Sequence, residues 1–497
     1  MKVMRILSFR YVLIGDLRIS YTVSDDHIQR TLHEIDSRIA SIHDIFDDLI
    51  HHIPNIGPTL SFPSKCGMGP RFCRRNGGII ILIICKASHV SMDGESSLSK
   101  RAIFLMAVLV TGAIAGAFIW LLLFIMNLGI SAVWDRVPIY LGEFYPVIVC
   151  LIGGVVLGLF AKRFGDYPDT LPQVIAKVRG NGRYEYHDLG AMSVGAILPL
   201  VFGGSVGPEA GLTGAIAAVC TWVGDRMRRL GKDIRDLTEV GVYAALSAIF
   251  AAPLFGLTGA VDDGREMPKA MKVLTYVFAI AGAFSVFAVL SHFLGSGLSL
   301  PRYSDVVYGQ GEFVWLIPLC IVGGMAGWLF CVMEKVMGRA SDLFGDRKVL
   351  KAVTGGLILG ICGIFLPYTM FSGEVQAEVL NETWMTMSAA VLICTGFVKI
   401  VMTAMCVNMG WRGGHFFPVI FSGISIGFGL SLLMGVDPAF SVCATTAAVV
   451  GGVTRKPVAT VLLLFLCFPI HSVLVLALAA FIGSRIPLPG SFSSRDG

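Results

Sequence analysis

The chain has 497 residues, of which 55% are hydrophobic and only 15% are charged. Its mean hydropathy is +0.74, a balance that excludes an ordinary soluble domain and indicates a polytopic membrane protein. The net charge of +5 is too small to suggest a nucleic-acid partner. The 12 cysteines include no CxxC pair, so the sequence implies no disulfide framework, no metal site and no cofactor.

Residues 1–91 differ in composition from everything that follows. They hold six of the ten histidines, and 19 of the 91 residues are charged. Their one apolar run, at 79–85, is shorter than the roughly 20 residues that a membrane helix needs. We interpret this segment as a poorly structured N-terminal extension. It is either an over-extended start upstream of Met92 or a cytoplasmic accessory segment.

Eleven apolar windows follow between residues 102 and 482. Several are shorter or longer than a simple span, which favours an all-α fold of tilted and re-entrant helices. Basic clusters lie at 162–163, 226–235, 265–272, 335–351 and Arg485. Residues 367–385, in contrast, contain acidic side chains and no Lys or Arg. The positive-inside rule therefore predicts a multi-pass protein of the cell (plasma or inner) membrane, with both ends of this core in the cytoplasm.

Residues 201–213 read Val-Phe-Gly-Gly-Ser-Val-Gly-Pro-Glu-Ala-Gly-Leu-Thr, within strongly apolar sequence. The glycines at 203, 204 and 207 permit backbone conformations that other residues rarely adopt. Pro208 suits the first position of a helix. The pattern predicts a helix that begins inside the membrane, where free amides and the positive dipole end form an anion site. A GxxxG helix contact through Gly207 and Gly211 is the alternative interpretation.

The second half of the chain repeats this layout. Residues 411–423 carry Gly-Gly-x-x-x-Pro again, 210 residues later, and the next prolines, Pro253 and Pro457, lie 204 residues apart. A weaker third pair is formed by 164–168 and 371–374. These breaks indicate an internal duplication with a transport site at the interface of its two copies.

We assign one repeat to residues 92–290, the other to 291–490, and a short polar tail to 491–497. Residues 203–208 and 413–418 are expected to meet near the membrane midplane, within about 15 Å of each other, a few helical turns at most.

The same motifs resemble those of the CLC family of chloride channels and proton/chloride antiporters. Gly413-Gly-His-Phe-Phe-Pro418 matches the family's GxFxP motif, and Gly204-Ser-Val-Gly-Pro208 resembles G(K/R)EGP. Gly165-Asp-Tyr-Pro168 stands where GSGIP is expected. The resemblance covers roughly residues 100–485. It implies a CLC-like inverted repeat, a homodimer with one pathway per subunit, and chloride or another small anion as the substrate.

The resemblance also implies an anion-binding site. The backbone amides of His415, Phe416 and Phe417 would bind the anion, and Val206 and Gly207 would frame its outer position. The rings of Phe416 and Phe417 are expected to pack in the core whatever their amides bind. His415 itself is expected to be a packed, hydrogen-bonded side chain rather than a metal ligand.

Several departures from the family pattern bear on the mechanism. Val206 replaces the gating glutamate, and valine can neither compete for the anion site nor carry a proton. Glu209 lies three residues further on, where we expect its carboxylate to complement its own helix terminus; a proton relay is the alternative. Gly165 or Asp166 replaces the serine ligand, and Asp166 is expected at the cytoplasmic mouth. Asp263 matches the inner proton-transfer glutamate, with a solvated charge at a helix end as the alternative.

Two cations stand in or near the second motif. Arg412, at the mouth of an anion path, would raise the local anion concentration; a structural ion pair is the alternative. Lys399 lies in the middle of an apolar window, where a charge is costly unless it meets water or a partner.

Three functions stay open. Val206 and the duplicated breaks favour a channel-like, passive anion conductor, whereas Asp263 keeps a proton-coupled anion exchanger in view. A membrane-embedded enzyme would need a nucleophile with a base, and neither Ser205 nor Ser422 has an assignable base, so we expect no enzyme. Passive conduction predicts anion flux that is independent of pH between about 5 and 8, the range over which a buried carboxyl would titrate.

Overall fold

The structure is a computed structural model that describes nine stretches of the chain. These are residues 97–135, 142–165, 167–169, 171–181, 183–226, 234–262, 269–295, 300–303 and 309–487. The predictions for the extension 1–91, for Asp166, for Asp263 and for the tail 491–497 lie outside the described residues. The boundaries of the two repeats stay predictions.

The described part of the first half forms nine α-helices. They are α1 (Ser97–Trp134), α2 (Tyr145–Phe164), α3 (Leu171–Asn181), α4 (Leu189–Val201), α5 (Pro208–Arg226), α6 (Ile234–Ile249), α7 (Pro253–Gly256), α8 (Thr258–Asp262) and α9 (Lys269–Leu294). The described part of the second half forms eight. They are α10 (Leu316–Asp342), α11 (Lys348–Phe365), α12 (Glu374–Thr383), α13 (Ala389–Asn408), α14 (Phe416–Met434), α15 (Pro438–Thr454), α16 (Pro457–Leu464) and α17 (Val473–Arg485).

Local chemistry sets where several of these helices begin. Pro208, Pro253, Pro438 and Pro457 each open a helix, because the first turn has no use for the N–H that proline lacks. Asp437 precedes α15, and its carboxylate accepts a hydrogen bond from the Phe440 amide at 2.8 Å, as N-cap residues do.

Within the described stretches, seven helices are long and apolar enough to cross a membrane: α1, α2, α9, α10, α11, α13 and α14. Others are interrupted, as the sequence predicts. The apolar window at 239–261 covers most of α6, all of α7 and most of α8, and the window at 440–482 covers most of α15, all of α16 and part of α17. The fold is therefore an all-α membrane core with broken helices, repeated in the same order in each half.

The helices α5 and α14 meet at their N-termini. The Gly207 amide donates to the Gly414 carbonyl at 2.7 Å, and the Gly414 amide donates to the Gly207 carbonyl at 2.7 Å. This two-bond antiparallel bridge confirms that residues 203–208 and 413–418 come together, far inside the 15 Å limit of about three helical turns.

Small residues let the long helices approach each other closely. A Cβ on Gly116 of α1 would overlap the backbone carbonyl of Ala283 on α9. Gly154 of α2 is likewise pressed against Ala352 of α11, and Gly323 of α10 against Thr445 of α15. Association in lipid depends on such close van der Waals contact rather than on the hydrophobic effect.

Gly116→Ala should therefore lower stability by about 1–3 kcal/mol, because its added methyl group cannot be accommodated without a backbone shift. Gly180→Ala is the matched control, since Gly180 is exposed and a Cβ there meets nothing within 4 Å. Thermal unfolding in detergent should show a lower midpoint for Gly116→Ala alone. Equal midpoints for the two variants would contradict this view of the α1–α9 contact.

Candidate functional site

The bridge between Gly207 and Gly414 places two helix N-termini around one small volume. Both termini have first-turn amides without partners inside the helix, and both carry the positive end of a helix dipole. Each terminus is worth only about 0.3–2 kcal/mol to a nearby anion. Two of them facing one volume, in a region without bulk water, make a site for a negative charge.

The Glu209 carboxylate occupies that volume. Its Oε1 accepts a hydrogen bond from the Phe416 amide of α14 at 2.7 Å. The amides of Phe417 and of Glu209 itself also face the carboxylate. Its Oε2 is buried without a hydrogen-bond partner among the described residues. The side chain is only 2% exposed. Glu209 therefore reaches across to the opposite helix, rather than complementing its own terminus alone as the sequence suggested.

The absence of side chains at Gly207 and Gly414 makes room for this carboxylate. A Cβ built on either glycine would overlap the carboxyl group of Glu209. Gly203, with φ of 88°, needs its conformational freedom. Gly204 and Gly207 do not have a positive φ. The prediction that all three glycines are needed for unusual backbone conformations is therefore wrong for these two. They are needed for close approach, Gly204 because a Cβ there would lie 2.6 Å from the Pro199 carbonyl oxygen.

The amides of the second motif are not equivalent. Phe416 donates to Glu209, and Phe417 faces the same carboxylate, whereas the His415 amide makes no hydrogen bond to it. The Phe416 and Phe417 rings pack on Phe250 with centroids 5.6 and 5.2 Å away. The packing expected of these two rings is therefore present. The His415 ring is stacked against Phe416 at 4.9 Å, and lines the cavity described next.

A cavity of about 410 Å³ connects this site to the surface. Glu209 and Gly414 lie at its inner end, and the exposed Glu334 and Lys456 line its outer part. Leu171, the first residue of α3, also lines it, so a third helix N-terminus reaches the cavity. One water molecule takes up about 30 Å³ in the liquid, so the cavity has room for several waters beside a small anion. An anion with part of its water shell fits there.

Val206 lies outside this cavity. Its side chain is fully buried, and it packs so close to Gly413 that a Cβ on that glycine would lie 2.6 Å from Val206 Cγ2. Its amide donates to the Gly204 carbonyl at 2.9 Å. The position that carries the gating glutamate in the CLC motif is thus filled by packed hydrocarbon. The carboxylate at the helix N-termini belongs instead to Glu209, three residues further along the chain.

Gly165 caps the C-terminus of α2, where its amide donates to the Ala161 carbonyl at 3.1 Å. The next helix, α3, begins only at Leu171, six residues after Gly165. A C-terminal helix end presents carbonyl groups, which repel anions. The third helix N-terminus at the cavity is therefore that of α3, and Gly165 does not line the cavity.

Asp169 and Arg412 lie together near the C-terminal end of α2. Burial alone would raise the pKa of Asp169. Hydrogen bonds from Lys177 and Tyr184, with the nearby Arg412 charge, instead leave the Asp169 pKa below its ordinary value. Arg412 also lines a small cavity with Lys348 and Lys351. Positive charge is concentrated here, which suits the role of attracting anions; that role stays a prediction.

Two further buried charges stand close to the site. Lys399 is fully buried, and its Nζ donates to the carbonyls of Tyr368, Met370 and Phe371 at 3.1, 2.7 and 2.8 Å. Glu374 is 8% exposed and close enough to Glu209 for the two carboxylates to repel each other. The sequence analysis singled out Lys399 but gave no role to Glu374. The sequence did contain a signal for Glu374, since this carboxylate directly follows Gly373 in the third pair of chain breaks.

Electrostatics decides what this arrangement can do. Two like charges about 4 Å apart repel by about 4 kcal/mol at an effective dielectric constant of 20. This exceeds the 0.3–2 kcal/mol that one helix terminus returns. A free anion and an ionised Glu209 therefore cannot share the amides of Phe416 and Phe417. Either the carboxylate leaves, or it takes up a proton and loses its charge.

Comparison with known proteins identifies the family. A sequence profile described as "Voltage gated chloride channel" matches residues 153–487. YfeO of Escherichia fergusonii, whose description names ion transport, is 26% identical over 346 residues, covering 65% of this chain and 78% of the relative. YfeO of Escherichia coli strain SMS-3-5 is also 26% identical over the same length and coverage.

Solved structures show the same fold. A CLC-type fluoride/proton antiporter superposes with a TM-score of 0.66 at 19% identity, covering 79% of this chain and 97% of the other. A slow cyanobacterial chloride/proton antiporter superposes with a TM-score of 0.63 at 19% identity, covering 77% and 94%. Together with the profile match and the paired helix termini, this shows that the chain is a multi-pass membrane protein of the voltage-gated chloride channel (CLC) family, whose members transport anions.

Proposed function

We propose that this protein is a proton-coupled anion exchanger in which Glu209 and the transported anion compete for one site. The observation that carries the proposal is the 2.7 Å hydrogen bond from the Phe416 amide to Glu209 Oε1. It links a carboxylate of α5 to the amides that the CLC motif assigns to the anion. Protonation would neutralise Glu209 and free those amides, so anion binding and proton binding become linked.

This proposal departs from the expectation drawn from Val206. Valine at the usual gate position favoured passive conduction without any pH dependence. With the Glu209 carboxylate at the helix termini, a titratable group again stands at the proposed anion site. The structurally similar antiporters, described as exchanging fluoride or chloride for protons, support the same choice. Passive conduction is the second candidate, favoured by the packed, apolar Val206.

The transported ion is proposed to be chloride or another small anion such as fluoride. We place the end of the molecule that carries Lys348, Lys351 and Arg412 in the cytoplasm of a cell membrane, following the distribution of basic loops. The cavity that ends at Glu334 and Lys456 would then open to the cytoplasm. A homodimer with one pathway per subunit is proposed from the family resemblance.

An enzyme is not favoured by what surrounds the two candidate nucleophiles. Ser205 lies 3.3 Å, Oγ to Oγ1, from Thr403, and Ser422 donates to the Pro418 carbonyl at 2.8 Å. Neither contact is with a base.

Wild-type protein in proteoliposomes should conduct chloride faster as the pH falls, by up to about tenfold per pH unit, because one proton must first neutralise Glu209. Glu209→Gln should lose this dependence and should carry no protons with the anion, since glutamine cannot titrate. Chloride efflux, measured with an electrode, and internal pH, measured with a trapped dye, report the two fluxes. Glu378→Gln, an exposed change on α12, is the matched control.

Uphill proton movement driven by a chloride gradient in the wild type would support exchange. Anion flux that is independent of pH in both the wild type and Glu209→Gln would contradict the proposal and favour passive conduction instead. Repeating the assay with fluoride and nitrate would rank the three anions by their rate of transport.

The homodimer can be tested separately. Cross-linking of the purified protein in mild detergent should give a dimer band that persists on dilution, because the resemblance implies a homodimer and two-fold dimers are the commonest closed assemblies. Monomer alone at every protein concentration would contradict this assignment without touching the assignment of Glu209.

A further inference from the structure

We infer that Glu374 is the second proton-carrying residue of this transporter, and that it exchanges its proton with Glu209 on the side of the site away from the 410 Å³ cavity. The inference rests on the proposed function, because it gives Glu209 a partner for the proton. It concerns a residue outside the CLC motifs found in the sequence.

The chain places Glu374 beside the site through two breaks in the backbone. Gly373, with φ of 100°, turns the chain into α12, of which Glu374 is the first residue. The Phe371 amide donates to the Gly203 carbonyl at 3.1 Å, which ties this segment to the loop before α5. A Cβ on Gly373 would lie 2.7 Å from Cβ of Phe421 on α14. Glu374 therefore begins its helix against the same α14 whose N-terminus holds Glu209.

Three buried acceptor oxygens here lack hydrogen-bond partners among the described residues. They are Glu209 Oε2, Glu374 Oε2 and Gln376 Oε1. Their side chains are 2, 8 and 6% exposed. A buried acceptor without a donor costs about 1–3 kcal/mol. Hydrogen-bond donors other than the described protein groups would remove this cost. A carboxylic proton is such a donor, and ordered water is the other.

The buried charges balance when the two carboxylates hold one proton between them. Lys399 is the one buried cation among the described Lys and Arg residues, and it lies against the segment that leads into Glu374. One ammonium offsets one carboxylate. With two ionised carboxylates, the region would carry an uncompensated charge, which is expensive at this depth.

Two other titratable groups lie on or beside the segment that leads into Glu374. Tyr368 stacks on Phe421 with centroids 6.3 Å apart, and the Cys362 thiol lies 3.6 Å from the Thr369 hydroxyl. Glu209 and Lys399 are the charged members. Neither Tyr368 nor Cys362 lines the large cavity.

The position of Glu374 separates the proton route from the anion route. Glu374 does not line the 410 Å³ cavity. It follows α11, which begins at Lys348, beside the end of α2, and ends at Phe365, so Glu374 lies beyond the far end of α11. In the transfer, the O–H bond of protonated Glu374 breaks, an O–H bond forms on the Glu209 carboxylate, and Glu374 is left ionised. The reverse step returns the proton.

The test is the ratio of protons to anions moved by Glu374→Gln, which keeps the side-chain volume but cannot release a carboxylic proton. The reversal potential of chloride flux in proteoliposomes, under an imposed pH gradient, reports this ratio independently of turnover. We expect Glu374→Gln to lower coupled proton movement about tenfold or more, the scale on which a proton-transfer group acts. Glu378→Gln, four residues along α12, should keep the wild-type ratio.

An unchanged proton-to-anion ratio in Glu374→Gln would overturn the inference. Should that variant fail to yield folded protein, Glu374→Asp keeps the titratable group and should retain coupling. The infrared carbonyl band of a buried, protonated carboxyl in the wild type gives a further test, since no such band between pH 5 and 8 would contradict the shared proton.

Failure of this inference is distinguishable from failure of the proposed function. Loss of coupling in Glu209→Gln with normal coupling in Glu374→Gln would reject Glu374 alone. Wild-type coupling in Glu209→Gln would reject the proposed function itself.

Discussion

Two backbone hydrogen bonds between Gly207 and Gly414 hold the functional part of this protein together. They fix the register of α5 against α14, so that both helices begin at the same small volume. Neither residue can carry a side chain, because a Cβ would take the place of the Glu209 carboxylate. The cavity, the amides of Phe416 and Phe417 and the reach of Glu209 all depend on this register. A shift of one residue would turn the amides away from a common point.

The energetics explain why a carboxylate stands at this point. Broken helices inside a membrane leave amides that must be satisfied, and water is scarce there. The Glu209 carboxylate satisfies the Phe416 amide, and in the proposed exchange a transported anion takes its place. Charge repulsion of about 4 kcal/mol prevents both from occupying the site together. The buried Lys399 and Glu374 extend the same electrostatic balance toward the other side of the site.

Much of the fold could be predicted from the sequence, because glycine and proline breaks recur at one offset in both halves. That pattern predicted the helical class, the broken helices and the meeting of residues 203–208 with 413–418. The reach of Glu209 could not be predicted from local sequence. It depends on a partner helix 207 residues away and on empty space at Gly414. Gly165, expected among the anion-binding residues, instead ends α2, and the described residues 167–169 that precede α3 are not helical. Glu374 was overlooked because its surroundings come from Lys399 of α13 and Phe421 of α14, which lie well beyond it in sequence.

The central claim is that Glu209 and the anion use the same amides, and bromide diffraction tests it most directly. Crystals of the wild type at high pH and of Glu209→Ala, both grown with bromide, would be measured at the bromine absorption edge. The account predicts a bromide peak in Glu209→Ala within about 3.5 Å of the Phe416 amide nitrogen, near the outer limit of a hydrogen bond. It predicts no such peak in the wild type, where the carboxylate holds that place. Bromide beside the Phe416 amide with an unmoved Glu209 carboxylate would contradict the account, as would the absence of bromide there in Glu209→Ala.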